Sequence, residues 1–198
     1  MARKKQSGRR VEGWKAKTWY KVYTPETIGK VYLGDTIAND PEKLVGRVMN
    51  TTLAEIANDY AKQHIKMKFS VTKVAGDAAY TEFIGHEVTR DYMRSLIKRR
   101  TSRIDAHIPF TTKDGRKVRL TVTCYTLTRA NESQQHQIRK VMTDEIIKVG
   151  TEGDLNLLVN GIISGEISKE IFKLIKVLFP VRRIEIIKSK VELPEILA

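Results

Sequence analysis

Residues 87–128 read EVTRDYMRSLIKRRTSRIDAHIPFTTKDGRKVRLTVTCYTLT, and the hydrophobic period changes inside them. Met93, Leu96 and Ile97 fall at i, i+3, i+4, one apolar stripe of a helix. Thr89 stands where an N-cap belongs, and Asp91 suits the positive end of the helix that follows. Arg90, Arg94 and Lys98 make a second, cationic stripe at i, i+4, i+8, which Arg99, Arg100 and Arg103 extend. Beyond them the period drops to two. Asp114-Gly115 is a strong hairpin signal. Behind it Val118, Leu120, Val122 and Cys124 share one face, and Arg119, Thr121, Thr123 and Tyr125 the other. A basic helix leading into a long basic hairpin is therefore expected, with Pro109 holding the first hairpin strand to an edge or delaying its start.

Between Arg94 and Arg119 nine Lys/Arg stand against two acids, Asp105 and Asp114. The nine include Lys113, Arg116 and Lys117 at the hairpin turn. Like charges held together on a folded surface repel unless a polyanion lies against them. The competing reading of such a run is a solvated face.

The whole chain repeats this bias. It has 198 residues, 36 Lys+Arg against 23 Asp+Glu, a net charge of +13 and a pI near 9.8. That balance points to nucleic acid, an anionic membrane or another polyanion. Hydrophobic content of 41% is that of a globular chain with a sizeable core. No apolar run approaches the roughly 20 residues that cross a bilayer, and no apolar segment follows the basic N-terminus, so neither a membrane span nor a secretory signal is expected. The single cysteine excludes an internal disulfide and a multi-cysteine zinc site, and fits a reducing, cytoplasmic setting. On its apolar strand face Cys124 reads as a core thiol.

Residues 1–17 carry seven Lys/Arg (Arg3, Lys4, Lys5, Arg9, Arg10, Lys15 and Lys17) and one acid, with little to bury. They read as an arm that orders on a polyanion, or as a solubility tail; Trp14 and Trp19 favour stacking on bases or anchoring. Residues 18–198 read as one globular domain, with a further boundary left open near 129–135. Strands are expected at 18–23 and 28–33, the second closed by Gly34-Asp35, then a short helix opened by Asp40-Pro41 and ended by Gly46. A strand at 47–53, a helical turn at 53–57 and a hairpin of 64–74 with 79–84 about Gly76-Asp77 follow. After the organising segment, 129–135 reads as a polar loop with Ser133 as cap. Ile138, Val141, Met142, Ile146 and Val149 then form an amphipathic stripe ended by Gly150 and Gly153. A helix at 154–160 stops at Gly161, another at 164–178 carries Ile167, Ile171, Leu174, Ile175 and Leu178 inward, and a strand at 182–191 closes the chain. The fold class is α+β: an antiparallel, strongly twisted or barrel-like sheet, a central basic helix, and a C-terminal group of helices plus a final strand.

No motif names a reaction. Phosphate-loop, nucleophile-elbow and zinc-protease patterns are missing. His64, His86, His107 and His136 are scattered, and Glu87, Asp91 and Asp105 read as partners of nearby arginines rather than metal ligands. No cofactor is expected. The cationic set does recur, at Arg139-Lys140 and at Arg182, Arg183, Lys188 and Lys190. Lysine and arginine neutralise phosphates, and arginine adds bidentate contacts and stacking. Without an RNA-recognition signature the charges suit a protein that holds folded RNA by shape and backbone. An enzyme acting on RNA would need clustered carboxylates or a nucleotide loop. A protein-interaction module would use the apolar stripe of 135–149.

Several blocks carry a resemblance: TWYKVYTPE (18–26), LGDTIANDPEKLVGR (33–47), LAEIAND (53–59), HEVTRDYMRSLIKRR (86–100), RIDAHIPFTTKDGRKVRLTV (103–122), QHQIRKVM (135–142) and GEISKEIFKLIKVLFPVRRIEIIKSKV (165–191). In this order, and nearly end to end, the chain resembles the archaeal and eukaryotic S-three-Ae family of small-subunit ribosomal proteins, also called the eukaryotic-type S-one family. Its length is that of the archaeal branch. The resemblance implies a structural component of the small subunit and no enzymatic activity. It implies a place on the platform, near the messenger exit and the 3′ end of the small-subunit rRNA. The implied partners are that rRNA, neighbouring small-subunit proteins and messenger RNA near the exit. A non-ribosomal RNA-binding factor or an RNA-processing enzyme is the alternative.

Overall fold

The computed structural model describes residues 17–192, so the basic arm lies outside the described residues except for Lys17. The described residues form eight strands, five α-helices and three short 3₁₀ turns. The strands are β1 (Thr18–Tyr23), β2 (Tyr32–Ala38), β3 (Val48–Thr52), β4 (Ile65–Ala75), β5 (Ala78–Val88), β6 (Arg103–Thr111), β7 (Lys117–Thr126) and β8 (Val181–Val191). The helices are α1 (Leu53–Ala57), α2 (Arg90–Leu96), α3 (Glu132–Glu152), α4 (Leu155–Ser164) and α5 (Glu166–Leu178). The α+β class holds, with three helices gathered before a final strand.

Two compact units share the chain, and β4 and β5 contribute to both. The first takes the described residues up to Val48 together with Ser70–Glu82. There β1 pairs antiparallel with β2 and parallel with the start of β5, Lys21–Tyr23 against residues 78–80. The sheet is therefore mixed, not wholly antiparallel as expected. Hairpin linkage fixes only neighbours joined by a tight turn, and β1 reaches β5 through three intervening strands. Tyr20, Val22, Leu44, Val71 and Ala79 form the core of this unit. Gly34 does not close a strand. It lies within β2 opposite Val22, and its φ of 147° falls beside the register shift after Val22. The segment opened by Asp40-Pro41 is a single 3₁₀ turn, Pro41–Leu44.

The second unit takes Met49–Phe69 and the described residues from Phe83 onward. Its strands pair antiparallel in the order β5-β8-β7-β6, and the sheet is not closed, which sets aside the barrel alternative. The closing strand β8 lies between β5 and β7 rather than at a margin. Pro109 lies within β6, the edge strand, where its missing N–H breaks no second ladder. One face of this sheet is apolar: Ile104, Ala106, Ile108 and Phe110 on β6, Val118, Leu120, Val122 and Cys124 on β7, and Ile184 and Ile186 on β8 are all buried. Against it α3 sets Ile138, Met142 and Ile146, and α5 sets Ile167, Ile171 and Ile175.

Glycines were read as helix ends, and packing overrules that at two of them. Gly150 is buried inside α3, where a Cβ would come within 2.5 Å of the Phe110 ring. Gly161 is inside α4, where a Cβ would stand 2.9 Å from Ile167 Cδ1. Both are close-approach glycines. Leu174 and Leu178, expected in the core, are exposed.

Candidate nucleic-acid interface

The organising helix is shorter than its stripe. Thr89 occupies the N-cap position with extended backbone and makes no side-chain cap, Asp91 is in the first turn, and Ile97 is already extended at φ −80°, ψ 127°. Of Met93, Leu96 and Ile97 only Leu96 is buried, so the apolar stripe gives α2 a single buried anchor. Continuing the helix would also set Arg94 and Lys98 one turn apart, where like charges repel. The cations after Leu96 lie outside the helix. Lys98, Arg99 and Arg100 form an exposed link to β6, with Arg100 in the left-handed region at φ 61°. Arg94, Lys98, Arg99 and Arg100 make no salt bridge among the described residues.

Arg182 fastens the end of α2, its guanidinium donating to the Leu96 carbonyl at 3.3 Å. The helix lies against one end of the sheet's other face. Tyr92 donates to Glu185, stacks on His64 with ring centroids 3.9 Å apart, and lies under the Arg183 guanidinium at 5.7 Å. Arg183 in turn bonds Glu185 at 2.5 Å. Burial holds the Tyr92 phenol above its usual range, and Glu185 adds to this. Burial likewise lowers the His64 pKa.

From there the face opens to solvent as rows of cross-strand partners. Asp105, Thr123 and Glu185 form one row; His107, Thr121, Lys188 and Glu87 the next; Pro109, Arg119, Lys190 and Gly85 the third. In the first row Thr123 donates to Asp105 at 2.5 Å. In the second, the Lys68 ammonium on β4 donates to Glu87 at 2.8 Å. That bond holds the Glu87 carboxyl below its usual range against partial burial, with Lys68, Lys188 and Arg90 adding charge in the same sense. In the third, Arg119 and Lys190 stand directly opposite each other, both exposed, and Glu192 forms an exposed salt bridge with Arg119 at 3.7 Å. Like charges directly opposite on a sheet are destabilising. Lys117 continues the exposed edge past this row.

The cations read from sequence thus divide. Arg119, Lys188, Lys190 and Lys117 come together on the open face, and Lys98, Arg99 and Arg100 in the link after α2, with Arg94 in the last turn of the helix. Arg90 is exposed at the start of α2. Arg103 is held by Asp105 at 2.9 Å, Arg139 donates to the Asp105 carbonyl at 3.1 Å, and Arg182 and Arg183 are committed as described. The pairing expected of the acids is seen for Glu87 and Asp105, although the partner of Glu87 is a lysine. Lys113 and Lys140 are exposed elsewhere on the unit, and Arg116 is half-buried. Arg3, Lys4, Lys5, Arg9, Arg10 and Lys15 lie outside the described residues, as does Trp14. Trp19 is 63% exposed on β1.

Sequence reasoning passed over Lys68 and a set of lysines on α5. The signal for the latter was legible: Lys169, Lys173 and Lys176 fall at i, i+4, i+7, one helical stripe.

The Ribosomal S3Ae family model matches residues 5–194. The chain is 64% identical over 195 residues to the small ribosomal subunit protein eS1 of Methanospirillum hungatei, covering 98% of each chain. It is 61% identical over 198 residues to the protein of the same name from Methanosphaerula palustris, covering 100% of each. With that of Desulfurococcus amylolyticus it shares 45% over 177 residues, 89% of this chain and 83% of the relative.

Proposed function

The chain belongs to the ribosomal S3Ae family, and from that premise we propose that it binds small-subunit rRNA through the open cationic face of β5, β8, β7 and β6. It is a structural protein of the small ribosomal subunit in the cytoplasm, not an enzyme. Within the subunit it lies on the platform, near the messenger exit and the 3′ end of the rRNA, as the family resemblance implies. There it meets neighbouring proteins and messenger RNA leaving the exit.

One observation carries the rRNA reading: Arg119 and Lys190 oppose each other in the ladder, both exposed. Their mutual repulsion weakens the free protein and is relieved when phosphates lie over the row. The β-ladder offers the hydroxyls of Thr121 and Thr111 beside the charges. Charges and hydroxyls of this kind suit phosphate and sugar contacts, which read backbone and shape. The link at 97–102, with its unpaired Lys98, Arg99 and Arg100, adds a second group of phosphate contacts.

The test is the salt dependence of binding to a transcript of the small-subunit rRNA 3′ region. Each phosphate contact removed flattens the slope of log K against log salt by about 0.7–0.9. Arg119→Ser, Lys188→Ser and Lys190→Ser combined should flatten it by about 2–3 and weaken binding. The set Arg94→Ser, Lys98→Ser, Arg99→Ser and Arg100→Ser should do the same with little loss of fold. Unchanged affinity and slope in both sets would overturn the reading.

A further inference from the structure

A second feature of the same unit has no part in the rRNA reading. A groove of about 850 Å³ opens between α5 and the strands β4, β5 and β8, a size within the range of ligand sites. Its floor is apolar: Val88, Ile162, Phe172, Ile184 and Ile186. Its rim is cationic: Lys62, Lys169, Lys173, Lys176, Arg182 and Arg183. Along α5 the lining positions Ser168, Lys169, Phe172, Lys173 and Lys176 recur at helical spacing, a stripe separate from Ile167, Ile171 and Ile175 in the core. The helix thus has two working faces, one turned inward and one lining an open groove.

The charge balance of the groove says what it fits. Glu185 is the one acid among its lining residues, and it is already engaged by Arg183 and Tyr92. The four lysines form no salt bridge among the described residues. A ligand must therefore bring negative charge to the rim. The floor decides which kind of polyanion. Its buried polar side chain is His86, and both ring nitrogens are used, Nδ1 with Ser189 Oγ at 2.6 Å and Nε2 with the Ile186 carbonyl at 3.0 Å. A nucleobase pressed onto Val88, Ile162, Phe172, Ile184 and Ile186 would bury polar edge atoms against apolar side chains, which is costly; aliphatic and aromatic side chains have no such edge. We propose that the groove docks an acidic peptide segment of a partner protein, its apolar side chains on the floor and its carboxylates on the lysines of α5. This is a helix-lined peptide site of the kind that pairs buried anchors with a charged rim.

The probe is a fluorescein-labelled synthetic peptide of Glu-Leu-Glu-Phe repeats, its binding to the full chain read by fluorescence anisotropy at about 0.15 M salt. A companion peptide carries serine for each Leu and Phe, and a labelled oligouridylate is the nucleic-acid probe. The first peptide binds; the companion binds about tenfold more weakly or worse; Lys169→Glu, Lys173→Glu and Lys176→Glu together weaken the first by a similar factor. These lysines are exposed, so the variant should fold, and the milder Lys→Gln triple, with thermal melting of both, separates lost binding from lost structure. The open-face set Arg119→Ser, Lys188→Ser and Lys190→Ser leaves peptide binding unchanged, so the two sites fail or hold separately. No binding of the first peptide overturns the proposal, as do equal binding of both peptides and loss of oligouridylate binding in the α5 variants without loss of peptide.

Discussion

His86 shows how a single buried side chain sets a pH limit. It is 1% exposed on β5. The Ile186 carbonyl can only accept, so Nε2 carries the proton, and Nδ1 accepts from the Ser189 hydroxyl. The Ser189 oxygen in turn accepts the backbone N–H of His86 at 2.9 Å. The neutral ring is thus fully bonded, and burial lowers its pKa, outweighing the Ile186 carbonyl and Glu87, which raise it. The unfolded chain takes up a proton near pH 6.5, while the folded chain resists it. Stability is therefore full above that pH and falls as pH drops below it, by at most about 1.4 kcal/mol per unit. His64, also lowered by burial, acts in the same sense. Urea unfolding between pH 7.5 and 5.5 should show this slope, and His86→Gln, which can still donate to Ile186, should reduce it. An unchanged slope in that variant would contradict the assignment. Cys124 stands at the other extreme: burial pushes its thiol up to about 12, which makes it inert at any pH the protein meets.

Elements are joined by side chains whose roles no local pattern announces. Asp114 was legible as the first residue of a hairpin turn, and Gly115 does adopt φ 74° there. The Asp114 carboxylate also accepts the N–H of Leu155 at 3.0 Å, at the start of α4, 41 residues along the chain. The local candidate, Asp154, makes no side-chain cap. Replacing Asp114 by Ala should cost about 1 kcal/mol in urea unfolding, as for a lost N-cap, while Asp114→Asn should retain most of it. Asp154→Ala should change little, and the reverse order of effects would reject this account. The same logic separates what the residues revealed from what they hid. Strands with clean alternation were legible because burial on one face imposes a period of two, as in β4, β7 and β8. The start of α3 was not: the cap is Asn131, which shares a capping box with Gln134, where Ser133, of equal cap propensity, was expected. Gly150 and Gly161 misled because close packing, not chain reversal, selects them. In the candidate site, charge density was legible but the separation of free from paired cations was not. Arg103 and Arg183 look like their neighbours in sequence, but each finds its acid two residues along on the same strand face, Asp105 and Glu185, while Arg119 and Lys190 meet only through the register.

At the scale of the molecule, the charge is not spread evenly. Of the described residues, the first unit holds six Lys/Arg and six Asp/Glu, a net charge of zero. The second holds 24 Lys/Arg and 15 Asp/Glu, a net charge of +9. Residues 1–16 add six Lys/Arg against one acid. Self-repulsion of this kind lowers the stability of the free protein and is relieved on a polyanion, so under the proposed rRNA reading the second unit carries the contacts. The neutral unit instead exposes Trp19, Tyr32 and Tyr80, surface better suited to neutral contacts. Two variant sets of equal charge change separate these roles. Lys21→Ser, Lys73→Ser and Lys30→Ser remove three cations from the first unit. Arg119→Ser, Lys188→Ser and Lys190→Ser remove three from the second. Each tagged protein is expressed in its native host, and the lysate is run on sucrose gradients over a series of salt concentrations. Both proteins should sediment with small subunits at low salt, because the shape of the fold is kept. The second set should leave the subunit at lower salt than the unsubstituted protein, since each lost phosphate contact removes released counterions from the binding equilibrium. The first set should leave at the same salt as the unsubstituted protein. Equal release of the two sets would mean that net charge alone retains the protein, and that the register of Arg119 with Lys190 has no special part in it.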